Sequence, residues 1–503
     1  MKVAVLADLH LPGRCDTVKE AIFNWSIDEA VSRKCDLIIG AGDLTSIGEF
    51  SAADRIMRKL ESGVLPFILT PGNAELRLPE EAGEVLRRMQ TPIEYADTVF
   101  LLDSSRARLD GKSSEFLSTL AGSGKHGVLL VSHCPPDHWE EVDQENLQKA
   151  FDAGVVSMLV YGHKHIDISL AQQECIRGLD PDKAAGGAPA LVFFTSDASG
   201  VWHREDVVCP FADAAAFPEE DKQRFWSSIG ISGMKTPLEN LALAAEKRLS
   251  VFELRFSGVE NLLNPEISAA LQRWRNCGGK YLSLHLPDLK YSRSDGFSGM
   301  EALRAASETA VALGCSGVTL HVPRCFADEL SAPEEIDAAA AVAASACAPL
   351  FEHNIRIGVE NLHTSAAERE AERYKFGCTI AECMSFINAL RRLHPEHTIG
   401  LHLDIGHARN NRPFCNRETL SDWYAIAGKE VVAMHIHQVS RKDGELKNHT
   451  GFSGVYTQMI SLCSLAMARR CGQIGEVPMI LELRCPPEET LEVLKRGFGC
   501  DSF

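Results

Sequence analysis

Within the first 165 residues, carboxylate, amide and imidazole side chains stand at the ends of successive apolar runs. Asp8-Leu9-His10 closes the first run, Gly42-Asp43 the second, Gly72-Asn73 the third, Ser132-His133 the fourth, and Tyr161-Gly162-His163-Lys164-His165 the fifth. Each chemical group therefore falls where a buried strand gives way to a loop, the place α/β sheets put binding and catalytic residues. Asp8, His10, Asp43, Asn73, His133, His163 and His165 make a mixed oxygen and nitrogen donor set, suited to a pair of divalent transition metals such as Mn, Fe or Zn. Two such ions sharing a bridging carboxylate can activate water and clamp the oxygens of an in-line phosphoryl displacement.

A second collection lies in the C-terminal half, which holds 11 of the 18 histidines. His285 ends the apolar run from Tyr281, His321 the run from Gly317, and Glu360 the run from Ile357. Asp404 and His407 follow Leu403, His435 stands in the run from Ala433, and Glu482 in the run from Ile480. Histidines and carboxylates converging on one mouth suit one to three divalent ions, Zn or Mn. Glu360 and Glu482 at buried strand ends would be costly without a cation. His437 shares a strand face with His435 and could replace it as a ligand. His353, His363, His394, His397 and His402 read as surface or packing residues. In Val251-Phe-Glu253-Leu-Arg255 a structural ion pair explains the charges as well as a site does.

The elements that must position these residues form two α/β domains. Apolar runs at Val3–Ala7, Asp36–Gly40, Val64–Thr70, Gly127–Val131, Val155–Tyr161 and Ala190–Thr195 alternate with helical patterns, which predicts an α/β sandwich over residues 1–205. Residues 206–223, with Pro210, Pro218 and the Glu219-Glu220-Asp221 cluster, read as a linker. From 224 to 503 a second alternation begins, with strands expected at Ile229–Ile231, Val251–Phe256, Tyr281–Leu286, Gly317–Val322, Ile355–Val359, Ile399–Leu403, Val431–Ile436 and Met479–Leu483. That repetition and length predict a (β/α)₈ TIM barrel, whose chemistry gathers at the C-terminal ends of its strands.

The first series resembles that of the calcineurin-like metallophosphoesterases: D-x-H, G-D, G-N-H-[DE], H and G-H-x-H. The resemblance covers roughly residues 1–200. It implies Asp8, His10 and His165 around one metal, Asn73, His133 and His163 around the other, and Asp43 as the bridge. The chain departs from the pattern at Ala74, where the family has a histidine that contacts phosphate and helps protonate the leaving group. That loss implies a narrower substrate range, since general-acid help is typically worth about 10²–10⁴-fold.

The second series resembles the xylose-isomerase-like barrels, which include endonuclease IV-type apurinic endonucleases and sugar-phosphate isomerases and epimerases. Over roughly 224–495 the resemblance implies Glu360, Asp404, His435 and Glu482 as a metal set common to both branches. It implies His285, His321, His407 and His449 as the further ligands of the three-metal nuclease branch. That branch also has an aspartate two residues before the last histidine. Here the position is Lys447, with Asp443 nearby at the wrong spacing.

Composition narrows the function classes. The formal charge is −18, and residues 1–220 carry 20 Lys+Arg against 35 Asp+Glu, a balance of −15. No broad basic face for a nucleic-acid backbone is expected there. No apolar run approaches the ~20 residues of a membrane helix, so no membrane partner is expected. The 16 cysteines are scattered, without a C-x-x-C, and read as reduced structural thiols. The first residues already read as a strand carrying Asp8, so no cleaved leader is expected, and the cytoplasm is the expected compartment. The leading expectation is a bifunctional metal-dependent phosphoesterase acting on a small molecule or on nucleic-acid ends or nucleotides. One alternative is a sugar isomerase or epimerase barrel fused to a phosphatase, with Glu360 and Glu482 as acid and base. Another is that one half is a silent binding or regulatory module.

Overall fold

The computed structural model describes residues 1–442 and 445–500; Asp443 falls outside them. Internal contacts divide the chain into two units, Met1–Ala216 with Tyr456–Met467, and Phe217–Val455 with Ala468–Phe503. The expected linker, 206–223, carries the end of the strand Trp202–Val208, a 3-10 turn at Ala214–Ala216 and the start of the helix Glu219–Ser227.

The first unit contains two sheets that share a core. One has the strand order Trp202–Val208, Ala190–Ser196, Lys2–Leu6, Leu37–Ala41, Phe67–Thr70. The other runs Glu94–Tyr95, Val99–Leu101, Val128–Ser132, Val156–Tyr161, Gln173–Cys175, Ile168–Leu170. Val3, Val5, Leu37, Ile39 and Ala41 of the first sheet meet Val99, Leu101, Leu129, Val131 and Val160 of the second. The intervening residues Phe100, Val128, Leu130 and Leu159 pack on Leu117, Leu147 and Phe151 of the helices Gly111–Leu120 and Glu141–Asp152. Strands buried on both faces read as continuous apolar runs, and each such Leu, Val or Phe contributes roughly 1.5–3 kcal/mol of burial energy.

Parallel pairing fixes where the chemistry emerges. Lys2–Leu6 pairs parallel with Leu37–Ala41, and that strand with Phe67–Thr70, so Asp8, Asp43 and Asn73 leave the same sheet edge. Val128–Ser132 runs parallel to Val156–Tyr161, which delivers His133 and His163 together. The short strands at Val99–Leu101, Ile168–Leu170 and Gln173–Cys175 lack a long apolar run. The outer strand Trp202–Val208 has mostly exposed or half-buried residues, among them Arg204, Glu205 and Asp206, and pairs antiparallel with Ala190–Ser196.

The second unit is built on a closed barrel of parallel strands: Ile229–Ser232, Val251–Arg255, Tyr281–His285, Gly317–His321, Arg356–Glu360, Ile399–Asp404, Val431–Ile436 and Met479–Leu481. The last strand returns to the first through Met479 beside Ile229. Register places His321 beside Glu360, and Asp404 beside His435, at the C-terminal strand ends. After the seventh strand the chain makes a hairpin, Gln438–Lys442 with Glu445–Thr450. The expected helix at Tyr456–Arg470 begins only at Cys463, and Tyr456–Met467 packs with the first unit. None of the 16 cysteines forms a disulfide, and no helix among the described residues is long and apolar enough to cross a membrane.

Candidate metal centres

Seven side chains of the first unit meet where the C-terminal strand ends of its two sheets come together, and their backbone shows the constraint. Asp8, His10, Asp43, His163 and His165 all have φ between 47° and 70°. Left-handed backbone at non-glycine residues is uncommon and persists where surrounding structure imposes it. Gly162 has a different reason to be glycine, since a Cβ there would run into the Asp8 carboxylate and Ala7.

The donors form two groups with Asp43 between them. On one side His10 Nε2 lies 3.3 Å from His165 Nε2, and His165 Nε2 lies 3.6 Å from Asp8 Oδ1. On the other, the Asn73 carboxamide lies 3.0 Å from His163 Nδ1 and 3.2 Å from His133 Nε2. His163 Nδ1 and His133 Nε2 are 3.2 Å apart. Asp43 presents Oδ2 to His10 at 3.6 Å and Oδ1 to His133 at 3.3 Å, one oxygen to each group.

Two observations show that divalent cations fit. Asp8 Oδ1 is fully buried with no hydrogen-bond partner, an arrangement expensive without a positive charge nearby. The Asn73 carboxamide stands between His163 Nδ1 and His133 Nε2 on one side and Arg77 and the Ala74 N–H on the other, and with its oxygen turned to the imidazoles it would complete a three-donor set for a cation. His133 Nδ1 lies 3.1 Å from the Ala41 carbonyl, which takes its proton and leaves Nε2 for the cluster. Burial pushes the Asp8 carboxyl up to about 7 against the pull of His133. Burial, then His133, hold His163 down to about 4.

Three further residues belong to this site. Glu75, fully buried, accepts from the backbone N–H groups of Asp43 (3.0 Å), Thr45 (2.8 Å) and Gly72 (2.7 Å), tying together the loops that carry Asp43 and Asn73. Arg77 donates from Nη1 to the Ser46 carbonyl and holds Nη2 3.7 Å from Asp43 Oδ2, a cation beside the bridging carboxylate. His138 places its ring 5.1 Å from that of His163. Ala74 is fully buried and donates its N–H to Asp43 Oδ1 at 2.7 Å, so its methyl offers the site no proton.

The barrel gathers its donors by the same logic. Glu360 is fully buried and splits its oxygens. Oε2 lies 3.2 Å from His285 Nε2 and 3.0 Å from His321 Nε2, while Oε1 lies 3.1 Å from His435 Nδ1. Around His435 Nδ1 also stand Glu482 Oε2 at 3.5 Å and Asp404 Oδ2 at 3.8 Å. Beyond them His407, His437 and His449 form a further buried group, with His437 Nε2 3.0 Å from Asp404 Oδ1. Lys447 is on the exposed side of the hairpin, bound to Glu445 at 2.5 Å.

The partners behind these ligands decide which nitrogen faces inward. Asp288 Oδ1 takes the Nδ1 proton of His321 at 2.5 Å, and the Leu286 carbonyl takes that of His285 at 3.1 Å. Glu253 does not pair with Arg255. Its Oε1 lies 2.9 Å from His435 Nε2, and its Oε2 accepts from Thr319, whose hydroxyl also meets His402 Nδ1 at 3.0 Å. Arg255 instead reaches Glu482 at 3.2 Å from the mouth. His402 is thus buried in a polar network behind His435, and His363 stacks on His407 at 4.6 Å. His394 and His397 pack on Phe351, and His353 is exposed. Burial opposes charge here, yet His321 and His435 hold Glu360 well below the carboxylate range. Against its own burial, His321 is pushed up to about 9 by Glu360 and Asp288.

Position 253 carried a visible signal, a glutamate between Phe252 and Leu254 in the buried part of its strand. Asp288, Arg77 and His138 carried none, because their roles arise from loops meeting in space.

Comparison with known proteins agrees with this division. Residues 1–167 match the family model of the calcineurin-like phosphoesterases. Residues 250–462 match that of the xylose isomerase-like TIM barrel. Similar solved structures include a D-tagatose 3-epimerase-like protein, at 17% identity over 55% of this chain and 98% of that one, TM-score 0.39. Endonuclease IV from Thermus thermophilus aligns at 17% identity over 54% and 99%, TM-score 0.36. The 3-keto-D-glucoside 4-epimerase of Escherichia coli aligns at 13% identity over 54% and 98%, TM-score 0.37. Likeness of that order carries no activity with it. No curated protein matches the chain.

Proposed function

We infer that this chain, a calcineurin-like phosphoesterase unit joined to a xylose isomerase-like barrel, is a bifunctional metal-dependent phosphoesterase. The observation that carries the reading is the pair of split carboxylates. Asp43 gives one oxygen to each of two donor groups in the first unit, and Glu360 does the same in the barrel. A single-ion isomerase site has no use for a second histidine group on the far oxygen of Glu360.

In the first unit Asp8, His10 and His165 would hold one divalent cation and Asn73, His133 and His163 another, with Asp43 shared. Such a pair would supply Lewis acidity toward a phosphoryl group and an acidified water. The protein's own part is positional. Glu75 holds the two loops at the distance that Asp43 must bridge. Arg77, anchored through Nη1 to the Ser46 carbonyl, would present the positive charge of its Nη2 side to a phosphoryl oxygen beside Asp43. In the barrel, His285, His321, Glu360, Asp404, His435 and Glu482 would hold the cations, with Arg255 at the mouth for phosphate. The substrate class we assign is a phosphodiester of a nucleotide or a nucleic-acid end, which needs no extended basic face.

The test uses the full chain loaded with Mn²⁺. An activated aryl phosphodiester should be hydrolysed, and Asp43→Ala should lower kcat by 10³-fold or more while Glu360→Ala leaves that rate unchanged. Cleavage of a phosphodiester at the end of a DNA strand should show the opposite dependence. Equal inertness of wild type and Asp43→Ala would overturn the first assignment. Turnover of a ketose with no cleavage of any nucleic acid would overturn the second.

A further inference from the structure

His407, His437 and His449 each bring one donor atom to within 4.8 Å of the others, and all three side chains are buried. Separate elements deliver them. His407 lies on the short helix Ile405–Arg409, His437 follows the strand Val431–Ile436, and His449 returns on the hairpin strand Glu445–Thr450. His449 has φ of 61°, left-handed backbone of the kind that also marks the ligand loops of the first unit.

Hydrogen bonding prepares the rings for a cation. His407 Nδ1 lies 3.0 Å from the Asn361 carbonyl, which takes its proton and leaves Nε2 with a lone pair. His437 Nδ1 lies 3.2 Å from the Gln438 carbonyl, and its Nε2 lies 3.0 Å from Asp404 Oδ1, a spacing that two ligands of one ion can share. Lys447 stays outside, its ammonium bound to Glu445 on the exposed hairpin.

We propose that His407, His437 and His449 form a third cation site in the barrel, with His437 taking the place that a carboxylate at position 447 would fill. The donor set selects the ion. Three imidazoles suit zinc or a similar borderline metal and disfavour magnesium and calcium, which prefer oxygen. Asp404 Oδ1, 3.0 Å from His437 Nε2, and Glu482 Oε2, 3.1 Å from His449 Nδ1, border the three imidazoles, so the site would share its carboxylates with the neighbouring centre. The ligand class that matches is an oxyanion, such as the phosphate of an ester.

The competing arrangement has His437 accepting the His449 backbone N–H at Nδ1, 3.0 Å away, and donating from Nε2 to Asp404. That would make His437 a structural residue only. Metal counting separates the two without any activity assay, so the outcome is independent of the phosphoesterase reading. Full-length protein loaded with zinc and dialysed should lose about one equivalent in His437→Ala and the same one in His449→Ala, with no further loss in the double variant. An unchanged zinc count in folded His437→Ala would overturn the proposal. Should that variant fail to fold, His437→Gln loaded with cobalt provides the second reading. Loss of part of the visible cobalt absorption supports the site, and an unaltered spectrum overturns it.

Discussion

At the scale of single residues, the proposed two-cation site of the first unit lacks one member of the machinery that its resemblance implies. Ala74 is fully buried and contributes only a backbone N–H to Asp43. Nothing at that position can protonate a departing alkoxide. The consequence is a steep dependence on leaving-group basicity. Across a series of aryl and alkyl phosphodiesters, kcat should fall by about 10²–10⁴ from the best to the poorest leaving group beyond the trend of a relative with histidine there. A flat series would mean that another donor serves, and His138, whose ring is 5.1 Å from His163's, is the group to substitute next.

At the scale of elements, strand ends set the donors and helix ends carry part of the stability. The helix Ile380–Leu393 begins with a capping box, Thr379 with Glu382, and the Ile380 N–H is also bonded by Glu418 at 3.0 Å. Burial, followed by Glu382 and Asp422, pushes the Glu418 carboxyl up to about 7 from 4.5. A carboxyl raised in the folded state binds a proton that the unfolded chain has released, so stability falls as pH rises from about 4.5 to about 7. Glu418→Gln, neutral throughout, should therefore melt several degrees above wild type at pH 8, with the difference closing toward pH 4.5. Melting curves of both proteins across that range check it. A constant difference would place the effect in packing rather than ionisation.

For the whole molecule, both centres concentrate buried carboxylates and imidazoles that bound cations would hold together. Any ligand bound to the folded state alone stabilises it, by about 2.7 kcal/mol at a hundred times its Kd. Chelation should lower the melting temperature of the full chain, and Mn²⁺ or Zn²⁺ should restore it. Asp43→Ala should remove one part of that recovery and Glu360→Ala another. Scanning calorimetry with and without metal checks this, and a melting profile indifferent to chelation would show that neither cluster holds an ion tightly.

Much of this was readable in order along the chain. The barrel strands fall within a few residues of the apolar runs, because strands buried on both faces must be apolar throughout. The strand Val99–Leu101 is apolar and buried but only three residues long, and the mostly exposed outer strand Trp202–Val208 lacks the apolar signature, so both emerge only with their neighbours in place. The ligand candidates were legible because each sits at the end of such a run, where residue type and position are both local. Tertiary structure decided what is not local: that Asp43 and Glu360 each face two groups, that Asp288 and Glu253 orient His321 and His435, and that His437 joins His407 and His449 while Lys447 turns to solvent. The physical reason is range. Burial patterns repeat every two or four residues and are written into adjacent positions, whereas a cation site is made by side chains tens to hundreds of residues apart, whose distances exist only once the sheets have closed.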